Sequence, residues 1–160
     1  MKAVKHIWSV LCKHSIIDNE TNNINLEEVL ERLQVDVGVD PKTPKALPER
    51  VTIPFGFEIV TLWARKNFED KDERKVDVRI EIIDPSGKKI SEIVNSFVLT
   101  PNFRRMRGRA RSGNIILTTS GLYIFKVSGK EFGEKDFDVV AELPLEVEIL
   151  KKIVESKVAN

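Results

Sequence analysis

The chain has 160 residues, 32% of them charged, a net charge of +1 and a single cysteine. This length fits one domain, the lone Cys12 excludes an internal disulfide, and no apolar run approaches the ~20 residues of a membrane span. We therefore predict a soluble, cytoplasmic protein. Because the molecule as a whole is nearly neutral, any attraction to a charged partner must come from a local patch.

The first segments alternate between strand and turn signals. Residues 4–17 predict a strand, and the polar run 18–23 predicts the turn that follows it. The segment 25–33 is ambiguous, because its leucines and valine recur at helical spacing behind a capping Asn25, whereas residues 34–38 alternate as a strand does. We favour a short helix that runs into a strand over one bent strand.

The middle of the chain carries the clearest strand patterns. Residues 38–48 contain three prolines and predict an extended loop. Residues 51–64 are apolar on both faces, which indicates a central strand covered on both sides. Residues 76–82 alternate cleanly, and 84–87 predict a turn with proline and glycine at suited positions. We expect seven side chains to be buried in the core. They are Phe57, Val76, Val78, Ile80, Ile82, Leu122 and Ile124.

Further strands are predicted at 90–99, in a hairpin of 114–119 with 122–127, and at 139–142 and 145–149, with Pro144 marking an edge or a bulge. Seven to nine short strands predict an all-β, antiparallel β-sandwich of immunoglobulin-like or C2-like architecture, with at most one short helix. The domain is expected to span residues 1–150, followed by a tail at 151–160. Seven aromatic residues are predicted to lie in its core: Trp8, Phe55, Phe57, Trp63, Phe97, Tyr123 and Phe125.

The order of these segments resembles an uncharacterised family of small, mainly bacterial β-sandwich proteins, a domain of unknown function. The resemblance covers roughly residues 4–130 and rests on VLCKHSIID (10–18), INLEEVL (24–30), VTLW (60–63), residues 78–87, GNIIL (113–117) and GLYIF (121–125). It implies the fold and carries no activity, cofactor or site residue to this chain.

An arginine-rich run is the most distinctive feature for binding. Residues 104–111 hold five arginines and no acid, and four of them alternate along the chain, so a strand would place those four on one face about 6.6 Å apart. Arginine binds carboxylate or phosphate through two parallel hydrogen bonds, and an aromatic residue next to the run could stack on a base. The candidate binding residues are Phe103, Arg105, Arg107, Arg109 and Arg111.

Three interpretations of these arginines stay open. We favour arginines that face water or pair with acids of the same protein, for which Asp136, Asp138, Glu146 and Glu148 are available. The next is an acidic protein surface, either of another protein or of a second copy of this chain in a homo-oligomer. Nucleic acid or another phosphorylated ligand is the least favoured.

Catalytic and metal chemistry find little support in the sequence. His6, Cys12 and His14 could contribute to a zinc site, which needs three or four protein ligands, but the chain has no second cysteine or third histidine and only carboxylates could complete the set. We therefore expect no metal and no cofactor. Residues 112–114 lack the pattern of a nucleophile elbow, and 84–89 lack that of a phosphate-binding loop. We expect no catalytic residues and a protein-interaction or assembly module; a hydrolase that uses unidentified carboxylates is the further alternative.

Overall fold

A computed structural model describes residues 1–39 and 49–153, and this part of the chain contains eleven β-strands and no helix. The described residues accordingly include no long apolar helix of the kind that crosses a bilayer. Most of the predicted loop 38–48 and the end of the predicted tail lie outside the described residues. The strands are β1 (Val4–Ile17), β2 (Ile24–Val29), β3 (Arg32–Val39), β4 (Val51–Ile53), β5 (Phe57–Arg65), β6 (Arg74–Ile83), β7 (Lys89–Leu99), β8 (Arg105–Ser112), β9 (Ile115–Leu117), β10 (Gly121–Glu131) and β11 (Asp138–Ile153).

Two large sheets form the sandwich. The first sheet has the order β2-β1-β5-β8 and the second β3-β11-β10-β6-β7, while β4 and β9 form a separate two-stranded ribbon. All pairs are antiparallel except β3 with β11. Side chains of the two sheets meet between them: Phe57 and Phe125 pack edge to face at 5.4 Å between ring centroids, and Trp63 lies so close to Gly129 that any side chain there would clash. The predicted antiparallel β-sandwich is confirmed, with more strands than expected.

The predicted strand at 76–82 is confirmed. The single central strand predicted at 51–64 is instead two strands: β4 pairs with β9 in the ribbon, and only the part from Phe57 onward, β5, is a central strand. Phe57, Val76, Val78, Ile80 and Ile82 are all buried. Strand β5 lies between β1 and β8, and eight of its nine residues are buried. The predicted turn at 84–87 is also present, with a positive φ of 83° at Gly87 and the Asp84 carboxylate accepting hydrogen bonds from the backbone that follows it.

The predicted helix at 25–33 is wrong. This segment supplies all of β2 except its first residue, Ile24, and the start of β3, with a positive φ of 50° at Glu28 just before β2 ends. Backbone pairing outweighs the weak helical preference of a few leucines: Leu26 lies opposite Ser15 of β1, while Leu33 and Val35 are buried where β3 runs beside β11.

The predicted hairpin and core face at 114–127 are also wrong. β9 pairs with β4 instead of β10, and Leu122 is 52% exposed while Tyr123 and Phe125 are fully buried. Ile124 is only partly buried. Because every residue from Leu122 to Phe125 is apolar or aromatic, alternation could not identify the inward face, and a shift of one residue exchanges the two faces completely.

The C-terminal segments join into one long strand. β11 includes both predicted strands and extends to Ile153, beyond the expected domain end at residue 150. Pro144 lies opposite Ile124 of β10, and β3 pairs with β11 only from Glu146 onward. The proline thus sits at a local sheet edge, where its missing N–H removes no ladder hydrogen bond.

Replacing Tyr123 with Phe is expected to lower the free energy of unfolding by about 1–3 kcal/mol, because it leaves partly buried backbone groups without a partner. The Tyr123 hydroxyl accepts from the backbone N–H of Thr118 at 2.8 Å and donates to the carbonyl of Thr119 at 2.8 Å. Thr119→Ala is the matched control, since the exposed Thr119 uses only its backbone. Urea unfolding that gives equal stabilities for the two variants would contradict a structural role for the hydroxyl.

Candidate functional site

Strand β8 places its four alternating arginines on the outer side of the first sheet. The opposite side of the strand carries Met106, Gly108 and Ala110, which point towards the second sheet, and a Cβ at Gly108 would lie 2.8 Å from the Thr61 hydroxyl of β5. A larger residue than glycine would therefore push β8 away from β5 or rotate Thr61. We call the outer side of β8 the arginine face; it consists of Arg105, Arg107, Arg109 and Arg111.

The four arginines differ in their partners. Arg111 forms an ion pair with Glu58, 2.7 Å between Nε and Oε1, and Arg107 donates to the Oδ1 of Asn22 at 2.6 Å and to its backbone carbonyl. Arg105 and Arg109 are exposed and form no hydrogen bond or ion pair with any described residue. Two guanidinium groups of this face are thus available to a ligand.

In the described part of the chain, the arginine face does not pair with the C-terminal acids Asp136, Asp138, Glu146 and Glu148. Asp138 binds the N-terminal ammonium at 2.5 Å and Glu148 binds Arg32 at 2.7 Å, while Asp136 and Glu146 form no ion pair within the described residues. Asp138, Glu146 and Glu148 belong to β11, and β11 lies in the second sheet, whereas the arginine face belongs to the first. Arg105 and Arg109 face water, as the favoured interpretation allows, and Arg111 pairs with an acid of the same protein, but that acid is Glu58 and not one of the four C-terminal acids.

Glu58 is the acid that does meet the face. It lies opposite Arg111 in the β5–β8 register, is only 4% exposed, and accepts a hydrogen bond from the Ser15 hydroxyl as well as the Arg111 contact. Burial by itself would raise the pKa of the Glu58 carboxyl. The hydrogen bond from Ser15 and the charge of Arg111 outweigh burial, so the pKa is lowered from its ordinary value of 4.5.

A groove of about 710 Å³ runs beside the arginine face, under the tip of the β1–β2 hairpin. Its volume falls within the range of small-ligand sites. Apolar and cationic groups both line it: Trp8, Leu62, Phe103, Arg105 and Arg107. Trp8, predicted to lie in the core, is half-buried in this groove, and Phe103 is 55% exposed next to Arg105.

The hairpin tip is held in shape by its own sequence. The Asp18 carboxylate accepts hydrogen bonds from the backbone N–H groups of Glu20 and Thr21, at 2.9 and 2.7 Å. The next residue, Asn22, adopts a positive φ of 55°, which asparagine tolerates better than most residues. This local turn directs both oxygens of Asn22 towards Arg107, so it fixes that arginine and closes one end of the groove.

The three residues considered for metal binding separate into two places. His6 packs edge-on against Trp63 at 5.0 Å between ring centroids, whereas Cys12 and His14 both lie near Glu58. Burial, and next the charge of Glu58, raise the pKa of the Cys12 thiol above 9.0, so it stays protonated at neutral pH. No group of three potential metal ligands occurs among the described residues.

A nucleophile and its base do not meet at this cluster either. The Ser15 hydroxyl donates to Glu58, and His14 contacts the same carboxylate at 3.2 Å, but in the described part of the chain no hydrogen bond joins Ser15 to His14. The arrangement is that of a buried carboxylate neutralised by its neighbours, which holds β1, β5 and β8 together.

Sequence reasoning missed Glu58, Asn22 and the groove position of Trp8. The one available signal was Glu58 itself, the single charged residue in the otherwise uncharged run 57–64, because a charge buried in such a strand needs a partner. Comparison with models of known protein families and with curated proteins gives no match for this chain. A function therefore has to be inferred from the chemistry of the arginine face itself.

Proposed function

We propose that this protein is a binding module that holds an acidic protein partner on its arginine face. The observation that carries the proposal is the exposure of Arg105 and Arg109, which form no ion pair or hydrogen bond with the described residues. Arg109 has only a longer-range charge interaction with Glu58. In the same sheet Arg111 and Arg107 are already engaged, so the free pair marks where a partner's carboxylates would bind. Arginine suits this role because its planar fork matches a carboxylate in two hydrogen bonds.

The setting of the two arginines favours a protein surface. They stand on a regular strand, which fixes their spacing, and the half-buried Trp8 and Leu62 line the groove together with Arg105. A partner could therefore combine carboxylates with one apolar side chain. Such a mixture of a charged rim and an apolar anchor is typical of protein–protein interfaces.

Replacing Arg105 and Arg109 together with Ser tests the proposal, with labelled poly-L-glutamate as the probe. We expect its affinity to fall roughly two- to thirtyfold, since each exposed ion pair is worth about 0.2–1 kcal/mol. The control is Lys71→Ser with Lys135→Ser, which removes the same charge from two exposed positions that form no ion pair with described residues. Fluorescence anisotropy measures both; an equal loss in the control would show that net charge, and not this face, attracts the acid.

Single-stranded nucleic acid is the second candidate, and the exposed Phe103 beside Arg105 is what favours it. Stacking on an aromatic ring and phosphate contacts to arginine are the two elements of such binding. Labelled oligothymidine in the same assay distinguishes the candidates: Phe103→Ala should weaken the binding of oligothymidine and leave that of poly-L-glutamate nearly unchanged if a base stacks there.

A further inference from the structure

Strand β8 is an edge strand of the first sheet as far as the described residues go. In the part of the chain that the structure describes, β5 is the strand neighbour of β8 on one side, and no strand pairs with it on the other. Such an edge carries a row of backbone N–H and C=O groups that an added strand can satisfy. Extended peptides bind many sheet edges in this way, with backbone hydrogen bonds supplying affinity and alternate side chains supplying specificity.

A cleft of about 310 Å³ lies between β8 and β7, the edge strand of the second sheet. On the β8 side the small residues Gly108 and Ala110 line it, and the floor includes the core residues Ile59, Val78 and Ile80. Small apolar side chains that point inward from an added strand would enter this space. Their burial would supply the hydrophobic part of the binding energy.

The arginine face restricts which strand can be added. A second copy of β8, related by a two-fold axis perpendicular to the sheet, would place its arginines directly opposite those of the first copy. Like charges in directly opposite positions destabilise a strand pair, whereas opposite charges stabilise it. The edge therefore disfavours self-pairing and selects for acids at every second position.

We propose that an extended acidic segment of a partner protein adds to the free edge of β8 as a new strand of the first sheet. Its acids project outward, next to Arg105 and Arg109, and its alternate small apolar residues project into the cleft beside Gly108. This proposal rests on the proposed function and specifies how its acidic partner binds. What is added is the backbone pairing and the alternating pattern.

A capped octapeptide of alternating glutamate and valine serves as the probe, in three forms: unmodified, N-methylated at every odd residue, and N-methylated at every even residue. An added strand pairs through only one of its two edges, so one methylated form should lose at least about tenfold in affinity while the other stays within about threefold of the unmodified peptide. Peptide binding is measured by fluorescence anisotropy with the wild-type protein and with the Arg105→Ser, Arg109→Ser variant.

The outcomes distinguish a failure of strand addition from a failure of the acidic-partner function. Equal affinities of the two methylated peptides, together with a loss in the arginine variant, would overturn strand addition and leave the acidic-partner function standing. Unchanged binding of the unmodified peptide to the arginine variant would overturn that function as well. A protein that forms a dimer which the peptide dissociates would identify a second copy as the occupant, and tighter binding of oligothymidine than of the peptide would identify nucleic acid; both overturn the proposal.

Discussion

Replacing Arg65 with methionine is expected to lower the free energy of unfolding by about 3–5 kcal/mol, the cost typical of removing one partner from a buried charged network. Arg65 ends β5 and is only 1% exposed. Its guanidinium donates at 2.8–3.1 Å to four backbone carbonyls, and it contacts the Asp70 carboxylate at 3.5 Å. The four carbonyls belong to Asp72, Leu99, Thr100 and Phe103.

The loss should reach the candidate site, because three of those carbonyls lie at the end of β7 and in the connection to β8. Arg109→Met is the matched control: the same change at an exposed arginine should alter stability by no more than about 0.5 kcal/mol. Unfolding in guanidinium chloride measures the free energy of unfolding of the two variants. Equal stabilities would mean that water or neighbouring groups satisfy the carbonyls once Arg65 is gone.

Replacing Glu58 with glutamine is expected to lower the free energy of unfolding by about 1.5–3 kcal/mol at neutral pH, because it removes a charged acceptor shared by Ser15 and Arg111. The effect depends on pH. The pKa of Glu58 is lower in the folded protein than its ordinary value of 4.5, so its contribution is present above pH 4.5 and is lost as the pH falls towards the folded-state pKa. The difference between wild type and variant should therefore shrink on acidification.

Urea unfolding at a series of values between about pH 6 and about pH 3 measures this difference. Glu146→Gln is the control, since Glu146 is exposed and forms no ion pair with the described residues. A constant gap between wild type and Glu58→Gln across the series would contradict the lowered pKa. It would point instead to a role of the carboxylate that does not depend on its charge.

Several features of this fold follow from local pattern alone. Alternation along 76–82 identifies the inward residues of β6, because a polar residue is costly to bury without partners; Glu81, on the other face, is buried but pairs with Arg79, Lys89 and Lys126. The turn at 84–87 follows from the backbone preferences of proline and glycine. The two-residue repeat of a β-strand places Arg105, Arg107, Arg109 and Arg111 on one face once their segment forms a strand. The sequence therefore predicts the arginine face.

What the arginines meet was decided by the tertiary structure. Arg111 binds Glu58, more than fifty residues earlier in the chain, and Arg107 binds Asn22 at the tip of a distant hairpin. No spacing rule connects such residues, because strand order in a sandwich does not follow chain order. The acids near the C-terminus matched the arginines in number and alternation, yet β11 lies in the other sheet.

The same distinction explains the incorrect helix prediction at 25–33 and the incorrect choice of core face at 122–125. At 25–33 the spacing of the leucines favours a helix, but pairing with β1 and β11 supplies backbone hydrogen bonds that the isolated segment lacks. At 122–125 every side chain suits a core, and the inward face is selected by Tyr123, whose hydroxyl reaches the backbone of Thr119. Alternation therefore determines which residues share a face, whereas the side that each face turns to depends on strands brought together from distant parts of the chain.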